Sequence, residues 1–159
     1  MRALLPAAAA IVFAADQASK WAVLTLMELP SRGVIELAPP WLVLRMAWNR
    51  GINFGLFAGG SEAARWALVA LSVAISAGVA VWALRRWRPW QVHLSAGVLI
   101  GGALGNALDR VRYGAVADFL NMSCCGIANP YAFNVADIAI FAGVVALALW
   151  PGGRDGDTP

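Results

Sequence analysis

Ionisable side chains are scarce in this chain. Only 13% of its 159 residues are Asp, Glu, Lys or Arg, against about 25% in an average soluble domain. Lys20 is the single lysine and His93 the single histidine, so a Ser–His mechanism or a histidine-ligated metal has almost nothing to build on. The net charge is +3, and its arginines are scattered or lie beside apolar runs. We therefore expect no nucleic-acid partner.

Cysteine is equally sparse. The two cysteines, Cys124 and Cys125, are adjacent, and neighbouring residues lie too close together for an ordinary disulfide. Neither a disulfide framework nor a Cys/His metal-binding spacing is present. The sequence thus predicts no metal ion and no cofactor.

Apolar residues dominate instead. They make up 60% of the chain, the mean hydropathy is +0.67 and there are eight tryptophans. A membrane-spanning helix needs about 20 such residues to cross a core about 30 Å thick. Four runs approach this length, so we predict one membrane-embedded domain over 1–159, an all-α membrane protein with four spans. The spans are expected at about 4–27, 65–85, 90–109 and 135–151.

The first run also has features of a cleavable signal peptide, with Arg2 before an alanine-rich stretch and small residues near Ala14. Cleavage there would separate Asp16 and Lys20 from the helix on which they lie. It would also leave three spans without their partner. We therefore favour a retained first span.

Loop charges predict the orientation. The link between the second and third runs is Arg85-Arg86-Trp87-Arg88-Pro89, and positively charged short loops stay in the cytoplasm. Four spans then place both termini in the cytoplasm and segments 30–65 and 109–134 outside. Tryptophans near the predicted span ends fit an interfacial aromatic belt.

The first outer segment predicts a small antiparallel sheet within 30–60. Two stretches on either side of Pro39-Pro40 have a strand-like composition, Val34–Leu37 and Trp41–Trp48. In the second stretch the side chains alternate from Leu42 to Trp48, as along a strand with two different faces. A third strand is expected at Ile52–Phe57. Ser61 is a good N-cap for the second span.

The polar residues in or beside the spans all fall at one predicted depth, the outer interface. Each has a structural explanation: Asp16 and Lys20 as an i,i+4 ion pair, Asn134 and Asp137 as a capping box, Asp109-Arg110 as a head-group anchor, and Asp118 as a turn residue. Independent accidents would not favour a single level, and ionisable groups in a membrane are expensive. The sequence therefore indicates a functional site there, which includes Asn106.

Asp118 and Asp137 flank one short outer connection, so both carboxyl groups can reach the same point. Two close carboxyl groups cannot both ionise and share one proton. The ionised group then acts as a base on water and the protonated one donates to a carbonyl oxygen. Such a pair hydrolyses peptides without serine, cysteine or metal. Asp137, at a helix N-terminus, is favoured as the ionised partner.

Five stretches occur together in a fixed order. They are Asp16-Gln-Ala-Ser-Lys20, Asn49-Arg-Gly51, Gly105-Asn106-Ala-Leu-Asp109-Arg110, Val116-Ala-Asp118-Phe119 and Phe133-Asn134-Val-Ala136-Asp137. In these stretches the sequence resembles bacterial signal peptidase II, a family of intramembrane aspartic proteases that process lipoproteins. The resemblance implies four transmembrane helices, a small external β-cradle and a short amphipathic helix, with a helix or loop lid between Asp118 and Asn134.

The resemblance also implies roles for these residues. Asp118 and Asp137 match the catalytic pair. The matches that line or brace the site are Asn49, Gly51, Asn106, Arg110 and Asn134, and those that shape and support the pocket are Asp16, Lys20 and Asp109. The implied reaction is cleavage of a prolipoprotein just before its diacylglyceryl cysteine, at the outer face of the bacterial inner membrane. After Gly51 the family usually has small residues, whereas this chain has Ile52-Asn53-Phe54.

Two other functions remain open on the residues alone. A small transporter or channel subunit would use the intramembrane acids as an ion pathway. Such a pathway needs polar residues at several depths, whereas the predicted cytoplasmic halves of the runs are apolar. A non-catalytic scaffold would use Gly97, Gly101 and Gly105, a ladder typical of helix packing. The oligomeric state is not predicted.

Overall fold

The computed structural model describes residues 2–51, 61–85, 88–127 and 129–150. The helices are α1 (Leu4–Trp21, continued by a π-helical turn, Ala22–Leu26), α2 (Leu29–Arg32), α3 (Glu62–Arg85), α4 (Trp90–Tyr113) and α5 (Val135–Leu149). The strands are β1 (Val34–Ala38), β2 (Leu42–Asn49) and β3 (Val116–Asn121). The molecule is thus mostly helical with one small sheet.

Helix α4 is the centre of the bundle, since α1, α3 and α5 all pack against it. Glycines allow this close approach. A Cβ atom at Gly101 would lie 2.6 Å from the carbonyl oxygen of Ala9 in α1, and one at Gly102 would lie 2.6 Å from the carbonyl oxygen of Ala136 in α5. The packing role predicted for the ladder is confirmed at Gly97 and Gly101, which both face the backbone of α1, whereas Gly105 faces the Asp16 side chain.

The outward faces of the helices are apolar. Ile11 is 68% exposed and Phe141 73% exposed, as expected for side chains that face lipid. Among the described helices, Glu62–Arg85 alone is long and apolar enough to cross a membrane by length and composition, and Val135–Leu149 is a shorter apolar helix. The four-span topology stays a prediction.

The sheet is antiparallel in the order β1-β2-β3. The first two strands agree with the predicted ones, but the other strand beside β2 is β3, which lies between α4 and α5. The predicted strand Ile52–Phe57 and the divergent Ile52–Phe54 lie outside the described residues. Asp118, offered as a turn residue, lies within β3 because that strand pairs with β2 from Val43 to Asn49.

The predicted alternation along β2 holds only in part. Leu44 is 4% exposed, yet Trp48 is 44% exposed. The pairing with β3 shifts register between Leu44 and Ala47, and an extra residue in one strand reverses the faces that follow it. Leu44 packs with Val23, Leu29 and Phe119, which fixes β3 against the end of α1.

After β3 the chain forms a loop in its described part, 122–127 and 129–133, and within the described residues the short helix is α2, which precedes β1. Leu120 pairs with Phe133, so the loop returns directly to the start of α5. Cys124 and Cys125 are exposed and form no disulfide. This closed loop brings Asn134 back to the strand that carries Asp118.

Ser61 caps α3 as predicted. The backbone N–H of Ala64 donates to the Ser61 hydroxyl over 3.2 Å, the bond expected between an N-cap residue and the third helical residue. Glu62 occupies the first turn, where its negative charge interacts favourably with the positive end of the helix dipole.

Candidate active site

Asn134 connects the two predicted catalytic aspartates. Its side-chain amide donates to Asp118 Oδ1 over 2.7 Å, and its side-chain oxygen accepts the Asp137 backbone N–H over 2.9 Å. Its own backbone N–H donates to Asp137 Oδ2 over 3.2 Å. The predicted capping box is therefore present, and the residue that caps α5 also contacts the carboxylate on β3.

Every carboxylate oxygen of the pair accepts a hydrogen bond. Asn49 Nδ2 donates to Asp118 Oδ2 over 3.1 Å, and Asn106 Nδ2 donates to Asp137 Oδ1 over 2.9 Å. With the two bonds from Asn134, both carboxyl groups are held in orientation by side chains from β2 and α4 and by the side chain and backbone of the residue that caps α5. Amide donors fix the groups without adding charge.

Asp118 is almost fully buried, at 2% exposure. Burial raises its pKa most strongly, and the negative charge of Asp137 raises it further. The hydrogen bonds from Asn49 and Asn134 and the charge of Lys20 act in the opposite direction. The balance raises the pKa of Asp118 to about 7, so this carboxyl group exchanges a proton near neutral pH.

Arg110 braces the turn that follows β2. One guanidinium nitrogen, Nη2, donates to the Gly51 carbonyl over 2.8 Å, and the Gly51 N–H donates to Asn49 Oδ1 over 3.1 Å. Its charge also acts on Asp118 and Asp137. Arg110 is 8% exposed and Asp109 1% exposed, so the alternative of a head-group anchor is wrong for both.

The three supporting residues form one buried ion cluster. The predicted pair is present, with Lys20 Nζ 2.8 Å from Asp16 Oδ2. Lys20 Nζ also lies 2.8 Å from Asp109 Oδ2 and donates to Asn106 Oδ1 over 3.1 Å. The ion pair with Asp109 joins α1 to α4. The bond to Asn106 connects the cluster to the amide that holds Asp137.

Gln17 belongs to this cluster and was missed from the sequence. Its side-chain nitrogen donates to Asp16 Oδ2 and to Asp109 Oδ1, each over 3.1 Å. The one feature that could have indicated it was a polar amide side chain within a predicted span. Such a residue can also be there without any role in a site.

An apolar groove leads away from the site. Helices α3 and α5 pack on α4 and leave between them a groove of about 540 Å³. Asn106, Arg110 and Asp137 line its polar end, and Leu71, Ile75, Leu99, Ile140 and Val144 are among its apolar lining residues. Across the described ranges, no group of three His, Cys, Asp or Glu side chains is placed to hold a metal ion.

Known proteins resemble this chain over most of its length. A family profile described as Signal peptidase (SPase) II matches residues 8–151. A lipoprotein signal peptidase of Methylobacterium sp. (strain 4-46) is 45% identical over 143 residues, 90% of this chain and 85% of the relative. One of Rhizorhabdus wittichii is 43% identical over 142 residues, covering 89% and 81%.

A solved structure agrees with the fold. A bacterial membrane enzyme determined at 2.3 Å resolution has a TM-score of 0.75 and 26% identity, with 89% of this chain and 83% of that chain covered. The family profile spans all five sequence stretches that carry the site. This protein is accordingly a member of the signal peptidase II family of bacterial membrane proteases.

Proposed function

We propose that this protease removes the signal peptide of prolipoproteins just before their diacylglyceryl cysteine, with Asp118 and Asp137 as the catalytic pair. The family and the name of its relatives support lipoprotein processing. The observation that carries the mechanism is Asn134, which bonds both aspartates in a buried polar site at the end of an apolar groove. This function replaces the alternatives of a transporter subunit or scaffold.

The hydrolytic step needs one proton on the pair. Ionised Asp137 removes a proton from a water molecule, whose oxygen attacks the carbonyl carbon of the scissile bond. Protonated Asp118 donates its proton to the carbonyl oxygen, and the tetrahedral intermediate forms. In the second step the peptide nitrogen takes the proton from Asp137 and the carbon–nitrogen bond breaks. The carbonyl then reforms and its proton returns to Asp118. The raised pKa of Asp118 supports its role as proton carrier.

The groove suits an apolar signal segment. Apart from Ser72 and Asp137, its lining residues on α3 and α5 are aliphatic or aromatic, and such a surface packs against an apolar helix in lipid by van der Waals contact. A substrate whose signal helix and diacylglyceryl chains stay in the lipid would present its cysteine at the polar end. We place that end at the outer face of the inner membrane, with both termini of the enzyme in the cytoplasm.

The test is a gel-shift cleavage assay in detergent with a prolipoprotein that carries or lacks diacylglyceryl on its cysteine. Wild type should cleave the lipidated form in the presence of a chelator. Asp118→Asn and Asp137→Asn should each lose at least about 100-fold in rate, because each removes an acid–base group. Glu36→Gln, a similar change on an exposed side chain of β1, should cleave like wild type.

Thermal melting of every variant separates chemistry from misfolding. Cleavage that survives either aspartate substitution in a folded protein would refute the catalytic pair. Equal cleavage of the unlipidated substrate would refute the proposed substrate class.

A further inference from the structure

The two site aspartates lie on different elements, yet the same kind of bond holds each from behind. Asp16 Oδ1 accepts the backbone N–H of Ala136 over 3.0 Å, and Ala136 immediately precedes Asp137. Asp109 Oδ2 accepts the backbone N–H of Ala117 over 3.2 Å, and Ala117 immediately precedes Asp118. One buried carboxylate therefore anchors the chain before each catalytic residue.

Two side chains from a single turn of α1 connect these anchors. The Lys20 ammonium lies 2.8 Å from a carboxylate oxygen of both Asp16 and Asp109. The Gln17 amide donates to both over 3.1 Å and to the Gly105 carbonyl over 3.3 Å. An ionic bridge and an amide bridge thus run in parallel between the anchor behind Asp137 and the anchor behind Asp118.

The surroundings leave this arrangement little freedom. Asp16, Lys20 and Asp109 are each at most 2% exposed, and an ion pair shielded from water is strong only while all partners stay in place. Gly105 of α4 also faces Asp16, since a Cβ atom there would lie 2.5 Å from Asp16 Oδ2. A change in the separation of the anchors would therefore cost hydrogen bonds that water cannot replace.

We propose that Lys20 and Gln17 are positioning residues that set the separation of Asp118 and Asp137 by holding Asp16 and Asp109 together. The proposal rests on the function proposed above. Lys20 donates to neither catalytic carboxylate, since its third hydrogen-bond partner is the Asn106 oxygen, although its charge also lowers the pKa of Asp118. Misplacement of reacting groups by about 1 Å can cost 100-fold in rate, so the bridge acts on the chemical step.

The experiment measures kcat and KM for cleavage of lipidated prolipoprotein by Lys20→Met and Gln17→Met. Both variants keep the length of the stem and remove the donor. We expect kcat to fall about 10- to 100-fold for Lys20→Met and about 10-fold for Gln17→Met, with KM unchanged. Ser76→Ala, a change at a buried polar residue of α3 outside the cluster and the groove, should leave kcat unchanged.

A matched pair at position 16 separates positioning from general stability. Asp16→Asn keeps an oxygen that can accept the Ala136 N–H, whereas Asp16→Ala does not, and both abolish the ion pair. We expect Asp16→Asn to retain about 10-fold more kcat than Asp16→Ala at similar melting temperature. A stabilising role alone would lower both melting temperatures and leave kcat of the folded enzyme equal.

Wild-type kcat in folded Lys20→Met or Gln17→Met, a loss confined to KM, or equal kcat for the two Asp16 variants would each overturn the proposal. If Lys20→Met does not fold, Gln17→Met, which changes no charge, decides alone. Failure of the proposed function is a different result: wild type would not cleave, or Asp118→Asn would remain active.

Discussion

At the scale of single residues, Asn134 serves structure and site at once. Its side-chain oxygen caps α5 and its side-chain nitrogen holds Asp118. Capping and site formation were predicted from the sequence as alternatives. They are compatible because an amide has an acceptor and a donor on opposite atoms.

The pKa of Asp118 leads to a prediction about pH. The pKa of Asp118 is about 7 in the folded enzyme, whereas an aspartate in an unfolded chain has a pKa of about 3.9. Between these two pH values the folded state therefore binds a proton that the unfolded state does not. The free energy of unfolding should therefore fall as pH rises from about 4 to about 7. Cleavage should decline above about pH 7, where Asp118 loses the proton it donates, and also in acid, where the base is protonated.

Asn49→Ala tests whether Asp118 is the group that sets the alkaline limb of the pH–rate profile. It removes a hydrogen bond that lowers the pKa of Asp118, so the alkaline limb of the pH–rate profile should move to higher pH. The measurement is kcat/KM between pH 5 and pH 10, with the chemical step shown to be rate-limiting and Glu36→Gln as the control. A flat profile, or a shift of the limb to lower pH, would contradict the assignment.

At the scale of elements, glycine controls how closely α1 approaches α4. A Cβ atom at Gly101 would lie 2.6 Å from the Ala9 carbonyl oxygen and 2.8 Å from Val12 Cβ, whereas a Cβ atom at Gly78 of α3 meets nothing within 4 Å. Gly101→Ala should lower the free energy of unfolding by about 1–3 kcal/mol through overpacking. Gly78→Ala should raise it by about 0.5–1 kcal/mol, because alanine is the better helix former.

Thermal and denaturant unfolding in detergent compare the two variants directly. Both add one methyl group to a helical glycine, so helix propensity changes equally and the difference reports packing. A Gly101→Ala enzyme as stable as Gly78→Ala would show that α1 can move away from α4 at little cost.

At the scale of the whole molecule, the exposed cysteines report the predicted topology. Cys124 and Cys125 are exposed in the loop after β3, which the four-span prediction places outside. A membrane-impermeant maleimide should label them in intact spheroplasts. In a Cys124→Ser/Cys125→Ser/Arg85→Cys variant the new thiol, at an exposed position at the end of α3, should react only after the membrane is opened. The reverse labelling pattern would show that the orientation in the membrane is opposite to the predicted one.

Local sequence patterns predicted much of this protein. Composition indicated a membrane protein, long apolar runs located the long helices, and short spacings predicted the Ser61 cap, the Asn134–Asp137 capping box and the Asp16–Lys20 pair. The cap, the capping box and the ion pair depend on residues three or four positions apart, whose geometry follows from the helix itself. The resemblance to a family added roles for ten residues that the structure gathers around one site.

Tertiary structure alone decided the rest. Asp16 and Ala136 are 120 positions apart, Gln17 and Asp109 are 92 apart, and β3 pairs with β2 across α3 and α4. No local period encodes such contacts, because they depend on how closely the glycines of α4 let α1 and α5 pack against it. The sequence by itself determined which groups are available for acid–base chemistry, and the packing of the helices determined which of them meet.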